Sequence, residues 1–569
     1  MIDEIIKRII KTEDCRILDF DAIQKINSIK NYQDVIEVKT EITLQSGVQD
    51  IILYVGIPNP AVTLPKIFIS SDSYDDIKFI PHINKDLNIC VYDEGVNHVF
   101  NELYLPDIIE ELINRAKSII TQVDEPQIMS VEFEKEFKAY WEMSYDKNDS
   151  VNEIGLSIIE NDLSEHKGYF FNSAINGFKY LIYQESRVFE AFKNYLDHRH
   201  INYSDIDVFV IEYLQKTPPF HLSFEESTKY IKDSDLKRFK QAINRNGMHK
   251  ALVIFKNIQG EYFGWVYSRT IPALSIIKGW HNNLSSWQIL KSPTFIKSLV
   301  ERVIFSGLTP ERLEKRTSGY FTENKIAICI IGLGSVGSNL LNYLMKLPIN
   351  RFHLIDSDIL LLENIYRHQY GFDKIKMAKV DIAKDNILNK DPFSEVISSK
   401  NSVIDMLCEV PSLLNEYDLN FLVVGNTMTE KFILEHLVKN GCDKPLVIMW
   451  VEPFMASGQM LYICPDDFNK AKEFILNFPY SVLKESDKSQ IYLKEGSCQT
   501  GYFPYSESNL TLFLSSVFPY LFRIIKNNEK HSSKVFTWIG DKDFIEKRGL
   551  TLSKFATSTN SFELLVKNL

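Results

Sequence analysis

The sequence predicts a multidomain protein: an N-terminal α+β domain, a mixed α/β connector and a C-terminal doubly wound α/β domain. Its 569 residues suffice for three to four domains of about 150 residues each. Strand-like segments and amphipathic helices fill residues 1–122, whereas buried strands alternate with helices from about residue 306. A glycine-rich turn joins the first of these buried strands to its helix. These three observations give the fold class.

Composition excludes several classes of protein. Hydrophobic residues make up 45% of the chain and charged residues 24%, which is typical of globular domains. With 64 basic against 75 acidic residues the net charge is −11, and no long basic run occurs. We therefore expect no direct nucleic-acid partner. The longest apolar stretches, such as Ile326–Ile331, are far shorter than the roughly 18 residues of a membrane span.

The cysteines and the N-terminus indicate the compartment. The seven cysteines are odd in number and form no C-x-x-C pair, which argues against a disulfide framework or a structural zinc. The first residues, Met1-Ile-Asp-Glu, do not suggest a secretory signal. We therefore expect a cytoplasmic protein with free thiols.

Residues 1–122 predict a small α+β domain. The pattern indicates a leading helix and an antiparallel meander, followed by a long amphipathic helix. The predicted segments are a helix at Ile5–Ile10, strands at Val35–Leu44, Ile51–Val55 and Lys66–Ser70, and a helix at Leu105–Ile120. The acidic run Val123-Asp-Glu-Pro126 is a candidate boundary.

Residues 123–305 predict a structural connector, because they contain no reactive group of side chains. The expected helical pieces are Phe133–Tyr140, Phe178–Tyr183 and Val188–Leu196, and the expected strands are Val208–Ile211, Ala251–Phe255 and Tyr262–Val266.

Residues 306–569 predict a nucleotide-binding domain. A buried strand, Ile326–Ile331, leads into Gly332-Leu-Gly-Ser-Val-Gly337 and a helix, Ser338–Met345. Such a turn lets the backbone approach phosphate and directs a helix N-terminus at its charge. The next strand, Phe352–Ile355, delivers Asp356, where an acid can bind ribose hydroxyls. Further strands are expected at Phe421–Val424 and Leu446–Trp450.

The residues beyond Asp356 favour a triphosphate over a dinucleotide. Asp358, Asn364, Arg367 and Lys379 follow in order. Cations there suit attack on an α-phosphate, which builds charge on the departing pyrophosphate. This pattern resembles the ubiquitin-activating and sulfur-carrier-adenylating enzymes of the ThiF/MoeB type. The resemblance implies that ATP is bound by the glycines Gly332, Gly334 and Gly337, with Asp356 on the ribose.

The same resemblance assigns the phosphates and leaves three points open. Asn364, Arg367 and Lys379 would hold the phosphates, with Lys376 a competitor for the lysine role. The family also uses an arginine from a preceding helix, often across a dimer, and Arg312 and Arg316 are both candidates. Mg²⁺ is expected from the family, but the strand that should precede its aspartate ends Val423-Val-Gly-Asn426-Thr427. The metal ligands are therefore unknown.

Cys90 ends the segment Ile80-Pro-His82-Ile-Asn-Lys-Asp-Leu-Asn-Ile-Cys90. This segment resembles the active site of ubiquitin-conjugating enzymes, in which H-P-N-I precedes the cysteine with its asparagine eight positions earlier. His82 takes the place of that asparagine, and either donates to the oxyanion or is an ordinary structural histidine. The order of meander, cysteine and helix favours an active Cys90 over a buried, inert one.

Cys498 lies in the polar segment Glu495-Gly-Ser-Cys498-Gln-Thr-Gly, ahead of an apolar helix at Leu510–Ile525. A loop thiol is what a thioester carrier needs, since an accessible thiolate must attack the acyl-adenylate. Cys329 falls inside a strand, Cys464 follows one, and Cys442 is expected in a surface loop.

The order of the three domains resembles the fused activating–conjugating proteins of bacterial CBASS antiphage operons. The resemblance implies a homodimer and a cGAS-like nucleotidyltransferase (CD-NTase) whose C-terminus is activated with ATP, captured on Cys498 and passed to Cys90. Two alternatives stay open. A sulfur-carrier or ubiquitin-like protein adenylyltransferase would leave Cys90 unexplained, and a Rossmann scaffold would bind nucleotide without catalysis.

Overall fold

The computed structural model describes residues 13–60, 62–77, 80–93, 95–96, 99–142, 153–160, 165–218, 222–244, 251–267, 285–293, 296–484, 491, 493–494, 501–527 and 532–569. The chain divides into two compact units. The first contains residues 1–184 and 202–309, and the second contains residues 185–201 and 310–569. The predicted helix at Ile5–Ile10 lies outside the described residues.

The first unit begins with a five-stranded antiparallel sheet in the order β1-β2-β3-β4-β5. Its strands are β1 (Asp14–Ile17), β2 (Asp34–Leu44), β3 (Gly47–Ile57), β4 (Lys66–Ile69) and β5 (Asn88–Ile89), and its helices are α1 (Phe20–Lys25), α2 (Ser71–Asp76) and α3 (Leu105–Thr121). The α3 face formed by Ile109, Leu112, Ile113 and Ala116 packs against the sheet, as its amphipathic period predicts. The predicted meander and its closing helix are confirmed.

Two short helices follow, α4 (Pro126–Lys135) and α5 (Phe137–Glu142). The predicted helical piece Phe133–Tyr140 is therefore broken at Glu136, whose backbone leaves the helical region. After the break, Phe137 and Trp141 of α5 pack in the next hydrophobic core beside Phe255 and Phe263.

The rest of the first unit is a closed barrel in the order β10-β11-β12-β6-β8-β7-β9. Its strands are β6 (Glu153–Ile158), β7 (Lys167–Ile175), β8 (Phe178–Tyr183), β9 (Tyr203–Val210), β10 (Ala251–Lys256), β11 (Tyr262–Tyr267) and β12 (Glu301–Gly307). In chain order α6 (Arg187–His198) belongs to the second unit, and α7 (Phe224–Thr228), α8 (Asp233–Asn244) and α9 (Ser286–Leu290) belong to the first.

The helical prediction for Phe178–Tyr183 is wrong. This segment is strand β8, which pairs with β6 in parallel and with β7 in antiparallel. Tyr180, Leu181, Ile182 and Tyr183 are all buried, so both faces of the strand are covered. A short apolar run covered on both faces lacks the alternation that distinguishes a strand from a helix.

The second unit is built on an eight-stranded mixed sheet in the order β15-β14-β13-β16-β17-β18-β21-β22. Its strands are β13 (Ile326–Ile331), β14 (Ile349–Ile355), β15 (Glu395–Ser399), β16 (Leu419–Leu422), β17 (Leu446–Val451), β18 (Ser457–Ile463), β21 (Lys534–Ile539) and β22 (Leu564–Asn568), beside the separate pair β19 (Leu493–Lys494) and β20 (Gly501–Tyr502). Strands β13 to β17 are parallel, and the remaining pairings are antiparallel. The strand order reverses between β13 and β16, where doubly wound sheets bind ligands.

Helices cover both faces of this sheet. They are α10 (Pro310–Ser318), α11 (Ser335–Leu344), α12 (Lys379–Lys390), α13 (Val403–Glu409), α14 (Thr427–Lys439), α15 (Phe468–Leu476), α16 (Glu507–Asn527) and α17 (Lys542–Lys547). Two hydrophobic cores, one on each face, enclose the central strands. The predicted fold class is confirmed.

Helix α16 is long and apolar enough to cross a membrane by length and composition alone. Its residues Leu510, Phe513, Val517 and Leu521 are each at most 1% exposed and belong to the core over the sheet. This face therefore packs inside the domain, and a helix of this kind is weak evidence for a membrane segment.

Candidate functional site

The glycine turn between β13 and α11 has the tight geometry that its sequence predicts. Gly332 has φ +94°, and a Cβ on it would lie 2.7 Å from the Val423 carbonyl oxygen. A Cβ on Gly337 would lie 2.0 Å from the Gly332 carbonyl oxygen. A Cβ on Gly334 would meet nothing within 4 Å, so the turn is open where α11 begins. Two glycines thus serve packing, and the third leaves room for a ligand.

Asp356 fastens this turn to the end of β14. Its Oδ2 accepts the Leu333 N–H at 2.6 Å, and its Oδ1 accepts the Asp358 N–H at 2.8 Å. The carboxylate is half-buried and lines the cleft beside the glycine turn. Each oxygen keeps a second lone pair, so the carboxylate can accept a hydrogen bond from a ribose hydroxyl and still keep its two backbone contacts.

Lys379 and Asp358 form an ion pair at the mouth of that cleft. The Lys379 Nζ lies 2.8 Å from Asp358 Oδ2, with side-chain exposures of 7% for the lysine and 67% for the aspartate. The cleft has a volume of about 280 Å³, and Gly332, Gly334 and Asp356 line it with this pair. Among the described residues Lys379, and not the exposed Lys376, lines the cleft. The geometry favours Lys379 for the lysine role.

Arg367 is tied by its backbone to the start of α11. Its carbonyl oxygen accepts hydrogen bonds from Ser335 Oγ at 2.5 Å and Asn339 Nδ2 at 3.2 Å. Its guanidinium lies 5.9 Å from the centre of the Tyr505 ring. Burial, aided by the charges of Lys379 and Arg367, lowers the pKa of His368 to about 4. Arg367 and Lys379, the two cations predicted to bind phosphate, therefore both lower the pKa of His368, which is neutral at pH 7.

Asn364 and the two candidate arginines do not line the cleft beside the glycine turn. The Asn364 Oδ1 accepts the Leu361 N–H at 3.0 Å, which shapes the 3₁₀ turn before Arg367. Helix α10, which carries Arg312 and Arg316, borders a cavity with Lys325 and Pro348, next to the amino ends of β13 and β14. That is the edge of the sheet opposite the glycine turn, so neither arginine lines the cleft of its own chain.

The described residues do not assemble a protein-only metal site. They contain no group of three histidine, cysteine, aspartate or glutamate side chains placed to hold an ion. The Asn426 Oδ1 caps α14 by accepting the Met428 and Thr429 N–H groups, where the family has its metal-binding aspartate. Asp358 is engaged with Lys379. In the described part of the chain, the residues do not fit Mg²⁺ as a protein-held ion.

Cys90 lies in the first unit, directly after β5, and is exposed. Its N–H donates to the His82 carbonyl oxygen at 2.7 Å, and Ile83 bridges to Ile89. The Asn84 Oδ1 accepts the Asp86 and Asn88 N–H groups and so forms the turn between them. The two ends of the predicted active-site segment are therefore joined by backbone hydrogen bonds.

The His82 ring contacts two acidic side chains, one on α4 and one on the residue that follows this helix. Its Nδ1 lies 3.2 Å from Glu136 Oε1, and its Nε2 lies 3.4 Å from Glu132 Oε2. The backbone N–H of His82 donates to the Tyr140 hydroxyl oxygen at 2.5 Å, and the Tyr140 hydroxyl donates to Glu136 Oε2 at 2.8 Å. We name Glu132, Glu136 and Tyr140 the acidic clamp. Donation to an oxyanion would require one ring nitrogen to leave its glutamate.

The acidic clamp sets the charge of His82. The hydrogen bond to Glu136 raises the pKa of His82 above its ordinary 6.5, against the opposing effect of burial. The same hydrogen bond lowers the pKa of Glu136 below its ordinary 4.5. Sequence reasoning missed these partners because they lie at the break between α4 and α5, about 50 residues after His82 along the chain.

The predicted carrier Cys498 lies outside the described residues. The other cysteines are described: Cys329 is buried, and burial strongly raises the pKa of its thiol. Cys442, expected in a surface loop, is 8% exposed and packs in the core below α14, because the chain turns inward after Gly441. Cys408, on α13, is exposed.

Two glycine substitutions separate packing from binding. Gly337→Ala forces a Cβ against the Gly332 carbonyl and is expected to destabilise the domain by about 2 kcal/mol. Gly334→Ala meets no atom, so the melting temperature should stay that of the wild type while ATP affinity falls about tenfold. Thermal unfolding and calorimetric ATP titration measure both. Unchanged ATP affinity in Gly334→Ala would contradict a phosphate site at this turn.

The acidic clamp predicts a pH-dependent protection of the Cys90 segment. Because the pKa of His82 is raised, its contribution is complete below pH 6.5 and is lost as pH rises through the raised value. Because the pKa of Glu136 is lowered, its contribution is present above pH 4.5 and is lost as pH falls through the lowered value. The acidic clamp is therefore strongest between pH 4.5 and pH 6.5.

Glu136→Gln should accelerate amide exchange of residues 80–90 about fivefold at pH 6, which corresponds to about 1 kcal/mol for a partly exposed charged hydrogen bond. At pH 9 the two proteins should exchange alike, after correction for the intrinsic rate. Glu111→Gln, which removes the exposed pair with Arg115, is the control and should change nothing in this segment. Equal exchange of variant and wild type at pH 6 would refute the clamp.

Several solved structures resemble part of the chain. A crystal structure of selenomethionine PaaA is 18% identical, with 42% of this chain and 72% of that chain covered and a TM-score of 0.30. Escherichia coli MccB with MccA-N7isoASN is 13% identical, with 43% and 64% covered and a TM-score of 0.29. E. coli MccB with ATP is 13% identical, with 43% and 63% covered and a TM-score of 0.27. The chain thus spans less than two thirds of MccB.

Two family comparisons match separate parts of the sequence. No curated protein matches. Residues 319–469 match the ThiF family and include the glycine turn, Asp356 and Lys379. Residues 19–149 match the prokaryotic E2 family B, and this match extends past residue 122 through α4 and α5. The chain therefore combines a C-terminal ThiF-type, Rossmann-like domain with an N-terminal prokaryotic E2-type domain.

Proposed function

We propose that the protein activates the C-terminal carboxylate of a partner protein with ATP, carries the acyl group on Cys498 and then Cys90, and joins it to an amine. One observation carries the proposal: a ThiF-type domain with an open glycine turn and an E2-type domain with an exposed cysteine occur in a single chain. The proposed domains are 1–122 for conjugation, 123–305 for connection and 306–569 for adenylation.

The first step is adenylation. A carboxylate oxygen of the partner forms a bond to the α-phosphorus of ATP, and the bond from that phosphorus to the β-phosphate oxygen breaks, releasing pyrophosphate. Gly332, Gly334 and Gly337 allow the phosphates to reach the N-terminus of α11, and Asp356 binds the ribose. Arg367 and Lys379 offset the charge on the departing pyrophosphate, with Asn364 beside them. Lys379 must exchange its contact with Asp358 for phosphate.

The next steps move the acyl group between thiols. The Cys498 thiolate attacks the acyl carbon and AMP leaves. The Cys90 thiolate then attacks the thioester and the Cys498 thiolate leaves. Finally an amine attacks, the Cys90 thiolate leaves, and the amine loses a proton as the amide forms. His82 stays a candidate oxyanion donor, freed from Glu132 when it acts.

The proposal extends to the setting of the reaction. The partner is a cGAS-like nucleotidyltransferase in a CBASS antiphage system, the enzyme is cytoplasmic, and Mg²⁺ accompanies ATP.

A homodimer is supported by exposed apolar side chains around the residues proposed to bind phosphate: Leu362 is 58% exposed, Phe372 73% and Tyr366 95%. Such a patch is typical of a protein interface. In the dimer, Arg312 or Arg316 would serve the other copy's cleft.

Cysteine variants test the relay. The full chain is incubated with ATP, Mg²⁺ and the neighbouring nucleotidyltransferase, and the products are separated on gels with and without reductant. Wild type should give a reductant-sensitive adduct and a stable conjugate, and Cys498→Ala should give neither. Cys90→Ala should keep the adduct and lose the conjugate.

Cys408→Ala removes another exposed thiol and is the matched control, which should behave as the wild type. Conjugate formation by Cys90→Ala at the wild-type rate would refute the conjugating role and favour a sulfur-carrier type of adenylyltransferase. ATP binding without any adduct would favour a nucleotide-binding scaffold.

A further inference from the structure

A second cavity lies on the other side of the glycine turn from Asp356. It has a volume of about 770 Å³, within the range of ligand sites, and it reaches the turn at Gly334 and Ser335. Four aromatic side chains line it: Trp450, Phe478, Phe503 and Tyr505. We call this space the aromatic cavity.

The aromatic cavity contains a buried carboxyl group with an unused acceptor. Glu430, in the first turn of α14, is 3% exposed, and its Oε1 accepts no hydrogen bond in the described part of the chain. A buried polar group without a hydrogen-bond partner destabilises the folded protein, so a ligand that supplies the partner gains affinity. Glu452, which also lines the cavity, differs because its Oε2 accepts the Val482 and Leu483 N–H groups. Glu430 is therefore ready to accept a donor from a ligand.

We infer, building on the proposed function, that the aromatic cavity receives the last residues of the partner's C-terminal tail and selects a tail with a bulky apolar side chain and no acidic one. Its position supplies the first argument. The tail's carboxylate must meet the α-phosphate at the glycine turn, and the aromatic cavity begins there at Gly334. The residues just before that carboxylate then lie inside the cavity.

The lining supplies the second argument. An apolar side chain gains binding free energy in proportion to the apolar area that it buries against the aromatic rings. A di-glycine tail has no side chain with which to fill this space. The backbone N–H groups of an extended tail lose water on entry, and Glu430 Oε1 can accept one of them.

Charge supplies the third argument. Two glutamates line the aromatic cavity, and no described lining residue is basic. An acidic side chain inside the cavity would lose its hydration beside these carboxyl groups, which is unfavourable. The nearest cation, the Arg367 guanidinium 5.9 Å from the Tyr505 ring, lies where the cavity meets the glycine turn and is left to the terminal carboxylate. The terminal carboxylate itself escapes this penalty, because it faces the glycine turn with Arg367 and Lys379 nearby.

Synthetic peptides test the selection on the full-length protein. Three labelled decapeptides, identical except for the endings Leu-Phe-Ala, Ala-Gly-Gly and Asp-Asp-Ala, are titrated in the presence of a non-hydrolysable ATP analogue, and binding is followed by fluorescence anisotropy. The Leu-Phe-Ala peptide should bind about tenfold tighter than either of the others. Equal affinities, or no binding of any peptide while the ATP analogue binds, would overturn the inference.

Matched variants locate the effect. Phe503 and Phe522 are both 39% exposed, but only Phe503 is among the residues that line the aromatic cavity. Phe503→Ala should remove most of the advantage of the Leu-Phe-Ala peptide, and Phe522→Ala should preserve it. Because burial raises the pKa of Glu430 to about 7, the comparison is made at pH 8.5, where Glu430→Gln removes a negative charge and should raise affinity for the Asp-Asp-Ala peptide about fivefold. If Glu430→Gln weakens Mg²⁺-dependent ATP binding and leaves peptide selectivity unchanged, Glu430 belongs to a cation site and the inference fails.

ATP–pyrophosphate exchange with the same peptides separates the two claims. Equal exchange with all three endings would overturn the tail selection and uphold adenylation. No exchange with any ending, together with absent ATP binding, would overturn the proposed function and the inference with it.

Discussion

The contact between Gly337 and the Gly332 carbonyl is the constraint on which the C-terminal domain depends. With a Cβ position only 2.0 Å from that oxygen, glycine alone lets α11 begin directly above the end of β13. That placement brings the N-terminus of α11 to the point where the strand order reverses, beside Asp356 on one side and the aromatic cavity on the other. Both clefts open at Gly334, so nucleotide and tail would meet there.

A second constraint acts in the N-terminal unit, where the short helix α5 joins two cores. Tyr140 holds the backbone of His82, while Phe137 and Trp141 pack against Phe255 and Phe263 of the barrel. Helix α5 therefore supports the segment that ends in Cys90. The extension of the E2-type match through this helix agrees with that arrangement.

Local pattern explains what could be predicted from the sequence. The strand Ile326–Ile331 is a continuous apolar run before a glycine motif, so its bounds and the place of Asp356 follow from spacing. The helix after it begins at Ser335, three residues before the expected Ser338. The strand Phe178–Tyr183 cannot be distinguished from a helix by its sequence pattern, because burial on both faces removes the alternation of polar and apolar residues. The partners of His82 lie about 50 residues away along the chain, and the empty acceptor of Glu430 depends on tertiary packing. No local pattern specifies such contacts.

The central claim is that the glycine turn serves attack on the α-phosphate. The most direct measurement follows α-labelled ATP in a single turnover of the full chain with the neighbouring nucleotidyltransferase, and compares the labelled nucleotide with the thioester formed. We expect one AMP for each acyl group found as thioester or conjugate, and, at ATP concentrations below the dissociation constant, about tenfold slower formation of both in Gly334→Ala. Labelled ADP, or thioester formed without AMP, would contradict the central claim.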